Sequence, residues 1–228
     1  MAINLQKGQR INLEKSTGAK LTQFCVGVNW GAIEYQAEEG GFLGFGKKTV
    51  TKTKDVDLDL SCVMYDENGN LVDHLYSPLY RPELLAQFGL NSGKLVSLTG
   101  AMRHTGDDLE GDKGGDDGLD NEIITVDLSK LGSNIHRIYF FLNNVGEEDF
   151  SQVPYAKIRM YEGTPAKVDS VYAEYNVVSE PVYRGKKALI MGELYKKGDD
   201  WKFNAIGDAY EDVFLGQTIQ RISQNYAK

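Results

Sequence analysis

The chain reads as an all-β protein, a two-sheet β-sandwich with a C-terminal helix. Three observations predict this. Short apolar runs alternate at period two and are separated by turn residues. There are 25 glycines, 13 tyrosines and only 5 prolines, a composition suited to many turns between strands. A stripe at three-to-four spacing occurs only at the end of the chain. Many strands followed by one helix favour sheet packed on sheet. With 228 residues and no internal boundary or repeat, residues 1–228 are expected to form one domain with a real core.

Residues 21–30 form the first clear strand, with Phe24, Val26, Val28 and Trp30 on one face. Residues 31–54 break the pattern through Glu38-Glu39-Gly40-Gly41 and Phe42-Leu43-Gly44-Phe45-Gly46, and are expected to be a mobile surface insertion loop. Residues 56–65 alternate cleanly. Val56, Leu58, Leu60, Cys62 and Met64 point one way, and Asp55, Asp57, Asp59 and Ser61 the other. Asn68-Gly69 then signals a hairpin turn, since both residues tolerate positive φ. The return strand runs from Leu71 to Tyr76. Pro82 suits the first turn of a short helix reaching Phe88, and residues 101–121 read as loop. Further strands are expected at 123–128, 135–143, 156–161, 168–175, 188–195 and 201–206, the last two as a hairpin. Tyr210, Val213, Phe214, Thr218, Ile219 and Ile222 place the terminal helix at 208–226.

Charge excludes some functions. There are 33 acidic and 25 basic residues, giving a net charge of −8, so the chain lacks the basic footprint of a nucleic-acid binder. It favours cations or basic partners instead. The N-terminus has no signal-peptide pattern, and no apolar run reaches the roughly 20 residues of a membrane helix. A soluble cytoplasmic protein is expected. Cys25 and Cys62 fit no metal spacing and are expected to be reduced and packed.

The most informative segment is the acidic loop. Asp107, Asp108, Glu110, Asp112, Asp116, Asp117, Asp120 and Glu122 put eight carboxylates into sixteen residues, with Lys113 the lone cation. Gly106, Gly111, Gly114, Gly115 and Gly118 are interspersed and allow tight folding. Such crowding is repulsive unless a counter-ion sits within it. Calcium takes about six to eight oxygen ligands in flexible geometry. An oxygen-only set favours calcium, and secondarily magnesium, over zinc or copper. A solvated acidic surface is the competing reading. Against it, Asp57 and Asp59 form a second carboxylate set on a strand that is apolar on its other face. If strand and loop meet, two segments feed one cluster. The spacing is not that of an EF-hand.

These residues also resemble a known family, the tellurium-resistance TerD family and its TerZ-like members. Leu5-Gln6-Lys7-Gly8-Gln9-Arg10-Ile11-Asn12-Leu13 is similar to its opening, and Val26-Gly27-Val28-Asn29-Trp30 to its first core strand. Asp57-Leu58-Asp59-Leu60-Ser61 matches its Asp-Leu-Asp-x-Ser strand. His104-Thr105-Gly106-Asp107-Asp108 corresponds to its His-Thr-Gly-Asp-Asn, with Asp108 replacing Asn. Gly192-Glu193-Leu194-Tyr195 and Trp201-Lys202-Phe203 match its closing hairpin. The loop departs by being longer than the family's Thr-Gly-x-Gly-Asp-Gly-Asp-Asp-Glu, and 31–54 resembles the insertion of TerZ-like members. The resemblance implies a β-sandwich that binds calcium, here expected as two ions, and a bacterial stress-response role including tellurite resistance. By motif match, Asp57, Asp59 and Asp107 lead the ligand candidates, and Asp116, Asp117, Asp120 and Glu122 follow. Asp108 and Glu193 also occupy motif positions. Other tellurium-resistance proteins are the implied partners.

No enzymatic activity is expected. The segment Gly41-Phe42-Leu43-Gly44-Phe45-Gly46-Lys47-Lys48-Thr49 nearly spells a P-loop, but Lys48 displaces the required hydroxyl residue and β-prone sequence follows. There is no Gly-x-Ser-x-Gly elbow or His-Glu-x-x-His. His104 is a candidate for orienting a ligand from behind. A carboxylate-held two-metal hydrolase is the enzymatic alternative. A scaffold alternative would use Phe42 to Phe45, flanked by Lys47, Lys48, Lys52 and Lys54, to touch an anionic membrane surface or a partner protein.

Overall fold

A computed structural model describes residues 2–15, 18–40, 47–177 and 181–228. In chain order the strands are β1 (Ile3–Asn4), β2 (Arg10–Asn12), β3 (Gln23–Trp30), β4 (Ile33–Glu39), β5 (Lys48–Lys54), β6 (Leu58–Tyr65) and β7 (Leu71–Leu75). Helix α1 (Pro82–Ala86) follows, then β8 (Met102–His104), β9 (Glu122–Asp127), β10 (Arg137–Asn144), β11 (Ala156–Thr164), β12 (Lys167–Val177), β13 (Ala188–Lys197), β14 (Asp200–Tyr210) and helix α2 (Leu215–Asn225). They build two six-stranded sheets, ordered β1-β12-β11-β3-β9-β8 and β2-β14-β13-β10-β6-β7. The strands β4 and β5 pair only with each other.

The sheets meet through the faces that alternation predicts. Phe24, Val26, Val28 and Trp30 of β3 join Leu58, Leu60, Cys62 and Met64 of β6, and Ile138, Phe140 and Leu142 of β10, in one cluster. Fully burying such side chains stabilises by roughly 1.5–3 kcal/mol each, which makes this interface the main source of stability. A second apolar cluster covers the outer face of the second sheet. There Val63, Tyr65, Tyr139, Phe141 and Ile190 pack under Leu215, Ile219 and Ile222 of α2. Strand β6 is therefore buried on both faces, Asp59 and Ser61 included. Simple alternation assigns that second face to solvent. The overlying helix is what alternation in β6 alone does not reveal.

Several expected boundaries shift. The Asn68-Gly69 turn forms, with Gly69 at φ 78° and the Asp66 carboxylate accepting from Asn68 N and Asn70 N. The terminal helix starts at Leu215, not 208, because Ala188–Ile190 hold Asp208–Tyr210 in a strand ladder. Its start is fixed by the Gln217 amide oxygen, which accepts from Val213 N and Phe214 N at 2.9 and 3.1 Å. Arg221 then reaches back to Asp212 with bonds of 2.9 and 2.6 Å and lies over the Tyr210 ring.

The largest correction concerns residues 31–54. Within this stretch, Ile33–Glu39 and Lys48–Lys54 form an antiparallel ribbon and not an irregular loop. Ile33 pairs with Lys54 at its base and Glu39 with Lys48 further out. Alternating threonines and lysines on β5 supply the β-branched residues that favour a strand. The Phe42–Phe45 tip of the scaffold reading, with most of the P-loop look-alike, lies outside the described residues. Thr49, where a P-loop would enter its helix, is in a strand. Among the described residues no helix is long and apolar enough to cross a membrane. Cys25 and Cys62 are buried and unbridged.

Candidate metal centre

Strands β3, β6 and β9 bring the acidic segments to one end of the sandwich. Strand β3 ends there at Trp30, and β6 and β9 begin there at Leu58 and Glu122. The loop between β8 and β9 is stitched to both neighbours. Asp112 N donates to Trp30 O, Asn121 N to Val28 O, and Val56 N to Glu110 O, at 2.9, 2.9 and 3.1 Å. Gly111 lies against the Trp30 indole at φ 73°, where a Cβ would come within 2.6 Å of the ring. The indole is itself fixed by its 2.7 Å bond to Val56 O.

Two carboxylate groups result. In the first, Asp59, Asp107 and Glu122 offer oxygens all within 4.8 Å of one another. Asp57 borders them across a cavity of about 90 Å³ that Ser77, Leu79, Tyr80, Leu109 and Val145 also line. That space exceeds what one ordered water requires. Glu122 is fully buried; Leu60 N donates to its Oε2 at 2.7 Å and Asp108 N to its Oε1 at 3.0 Å. The Ser77 hydroxyl donates to Asp107 at 2.5 Å. His104 stands behind Glu122. Its Nδ1 accepts from Gly106 N at 2.9 Å, which leaves the proton on Nε2, 2.9 Å from Leu60 O and 3.4 Å from Glu122 Oε2.

The electrostatics of this group are unfavourable without a cation. Burial, reinforced by the neighbouring carboxylates, pushes Asp57 up to about 6. Burial also pushes Asp59 up to about 8, with Glu122, Asp57 and Asp107 adding to it. Burial raises Glu122 as well, against the pull of His104. Among the described residues no lysine or arginine forms an ion pair with Asp57, Asp59, Asp107 or Glu122. Asp57 Oδ1 is buried without a hydrogen-bond partner. An oxygen-only set with an orphaned buried carboxylate oxygen is what a hard divalent cation would satisfy.

The second group is Asp112, Asp116 and Asp117, more exposed and again within 4.8 Å. Asn29, only 2% exposed, reaches into it from β3. Its amide nitrogen donates to Asp112 at 3.1 Å and Asp116 at 3.4 Å, while its Oδ1 has no partner. Here the first sheet supplies counter-charge. Lys157 pairs with Asp116 and holds that carboxyl below its usual range.

The candidate residues thus divide. Asp57, Asp59, Asp107 and Glu122 converge in the first group, and Asp116 and Asp117 in the second. Three are not brought to either. Asp108 organises the loop, its Oδ1 accepting from Glu110 N and Gly111 N and its Oδ2 from Asn121. Asp120 is buried over Gly27 and bonded to Arg159 Nε at 2.8 Å. Glu193 lies in the β13–β14 hairpin, bonded to Arg137 at 3.2 Å and Asn204 at 3.3 Å. Sequence reasoning did not single out Asp112 and Asn29. Alternation does put Asn29 opposite the core face of β3, and that was the available signal.

A double-sheet β-sandwich with two acidic groups gathered at one end is the class that fold and site define. The TerD domain model matches residues 1–221. The chain belongs to the TerD-domain family of tellurium-resistance and stress-response proteins, as its motifs imply. It is 34% identical to the stress response protein SCP2 of Bacillus subtilis (strain 168) over 97% of this chain and 99% of the relative. It is 28% identical to the tellurium resistance protein TerZ of Serratia marcescens over 91% and 90%. A solved homologue of telluride resistance protein (TerD) from Streptomyces coelicolor A3(2) superposes with a TM-score of 0.55. That match covers 91% of this chain and 98% of the other at 13% identity, a likeness of fold.

Proposed function

We propose that this protein is a calcium-binding stress-response module that acts by binding, without catalysis. One observation carries the reading. Asp59 from β6 and Asp107 and Glu122 from the two ends of the β8–β9 loop converge beside an orphaned Asp57 oxygen, with no lysine or arginine paired to them among the described residues. Flexible oxygen coordination at such a site suits calcium better than magnesium, which demands near-octahedral geometry. The second group would take a further ion less tightly, since Lys157 already occupies Asp116. His104 would hold Glu122 in place from behind. Unbridged cysteines suit a cytoplasmic setting, where other tellurium-resistance proteins would be available as partners. Calorimetric titration of calcium into chelator-treated protein tests the reading. Heat of binding in the wild type that is reduced in Asp59→Asn is expected; no heat in the wild type overturns it.

The scaffold alternative loses support at the ribbon. Of its four lysines, Lys47 pairs with Glu38, Lys52 with Glu39 and Lys54 with Glu148, while Lys48 is exposed on β5, so most of the basic charge is already matched by glutamates.

A further inference from the structure

A second cavity, of about 230 Å³, lies beside the first acidic group, where the segment leading into α1 meets the start of α2. It shares Leu79, Tyr80 and Val145 with the acidic cavity and contains none of that cavity's carboxylates. Three of its lining residues, Leu79, Val145 and Val213, are apolar and yet exposed at 68%, 49% and 68%. Apolar side chains gathered around one opening mark a surface that another molecule covers.

Two buried amides line the same space. Asn143 and Asn144, at the end of β10, are each 2% exposed. Asn143 Nδ2 donates to Thr218 Oγ1 at 3.0 Å, and Asn144 Oδ1 accepts from Gly146 N at 2.9 Å. These bonds leave Asn143 Oδ1 and Asn144 Nδ2 buried without a partner. One is an acceptor and the other a donor, the pair that a peptide N–H and C=O would satisfy. The remaining polar feature is positive charge. Arg81 lines the cavity and, among the described residues, forms no ion pair or side-chain hydrogen bond. Leu215, the first residue of α2, lines it too, so the positive end of that helix faces the same region.

We propose that this cavity binds the C-terminal residue of a partner protein, an apolar residue of about the size of leucine. The side chain takes the apolar walls at Leu84 and Phe214, the terminal amide pairs with the two asparagines, and the carboxylate meets Arg81. The residues before it lie across Leu79, Val145 and Val213. Capture of a chain end by its carboxylate is a recurring mode of peptide recognition. The site uses no acidic residue and does not rest on the calcium reading.

NMR titration of the full chain with the tripeptide acetyl-Ala-Ala-Leu, with calcium and with chelator, tests this. The tripeptide acid should shift the side-chain amide signals of Asn143 and Asn144 in at least one condition. Its C-terminal amide form should bind about tenfold or more weakly, because it lacks the charge that Arg81 reads. Arg81→Gln should erase that difference, and Val213→Glu should block the tripeptide acid; both positions are exposed, so neither change alters the core. Absence of shifts in both conditions overturns the proposal. Equal binding of acid and amide forms by the wild type overturns it as well, and so does a Val213→Glu variant that binds normally. If N-acetyl-leucine binds as tightly as the tripeptide, the exposed rim adds nothing and a partner's chain end is overturned as the occupant.

Discussion

Replacing Asp59 by Asn should change the sign of its effect with calcium. In metal-free protein Asp59 is a buried carboxyl pushed up to about 8 by burial and neighbouring carboxylates. Holding its proton at pH 7, where the unfolded carboxyl has released it, works against folding, with an upper bound of roughly 4 kcal/mol that relaxation will reduce. Asn keeps the shape and removes the charge. In chelator, Asp59→Asn should therefore match or exceed wild-type stability. In calcium the order should reverse. A ligand at a hundred times its Kd stabilises by about 2.7 kcal/mol, which for a domain of this size is about 5–11 °C in Tm. The variant should lose most of that increment. Thermal unfolding of both proteins, in calcium and in chelator, gives four curves that ought to cross. If the variant melts below wild type by the same margin in both conditions, Asp59 has a structural role unrelated to a cation, and the reasoning fails.

Four other outcomes are expected. Metal-free protein should lose stability as pH rises from about 4 to about 8. In that window folded Asp57 and Asp59 hold protons that the unfolded chain has released; excess calcium should flatten or invert the slope, and Tm measured against pH reads it. His104→Ala should weaken calcium binding by roughly tenfold, because Glu122 loses the group that orients it; calorimetry checks this. Gly111→Ala forces an alanine to φ 73° and a Cβ into the Trp30 indole. It should cost about 1–3 kcal/mol, visible as a lower urea midpoint. Lys157→Gln frees Asp116 and should tighten calcium binding at the second group, an increase in affinity that a purely structural lysine would not produce.

Much of this arrangement was readable from the residues, for identifiable reasons. The faces of β3 and β6 follow from period two, and the Asn68-Gly69 turn from its backbone demands. The convergence of Asp57 and Asp59 with the loop was posed by sequence as a condition, and the packing of β6 across the sandwich onto Glu122 and the loop brings Asp59 to Asp107 and Glu122. What escaped depended on contacts between distant segments. Lys157 and Arg159 neutralise part of the loop from 39 or more residues away, so Asp120 looks like a ligand in sequence and is an arginine's partner in space. The ribbon was hidden because β5 is polar at every position but Val50, and the Ile33, Tyr35, Ala37 alternation of β4 is short and not fully buried. Asp112 was counted among the loop's carboxylates but not ranked as a ligand, because its place beside Asp116 and Asp117 is set by the loop's backbone bonds to Trp30 and Ala32.

Strand β6 constrains which length changes this protein can absorb. Its alternate residues serve the inter-sheet core on one side and Asp59 on the other. Inserting or deleting a single residue within it would exchange the two faces, sending a carboxylate into the core and an aliphatic into the acidic cavity. No neighbouring change could repair both. The loop from Thr105 to Asn121 is anchored at intervals to strand ends and can lengthen between anchors without disturbing either sheet. Divergence in chain length should therefore concentrate in that loop, while the stretch from Val56 to Tyr65 keeps its count.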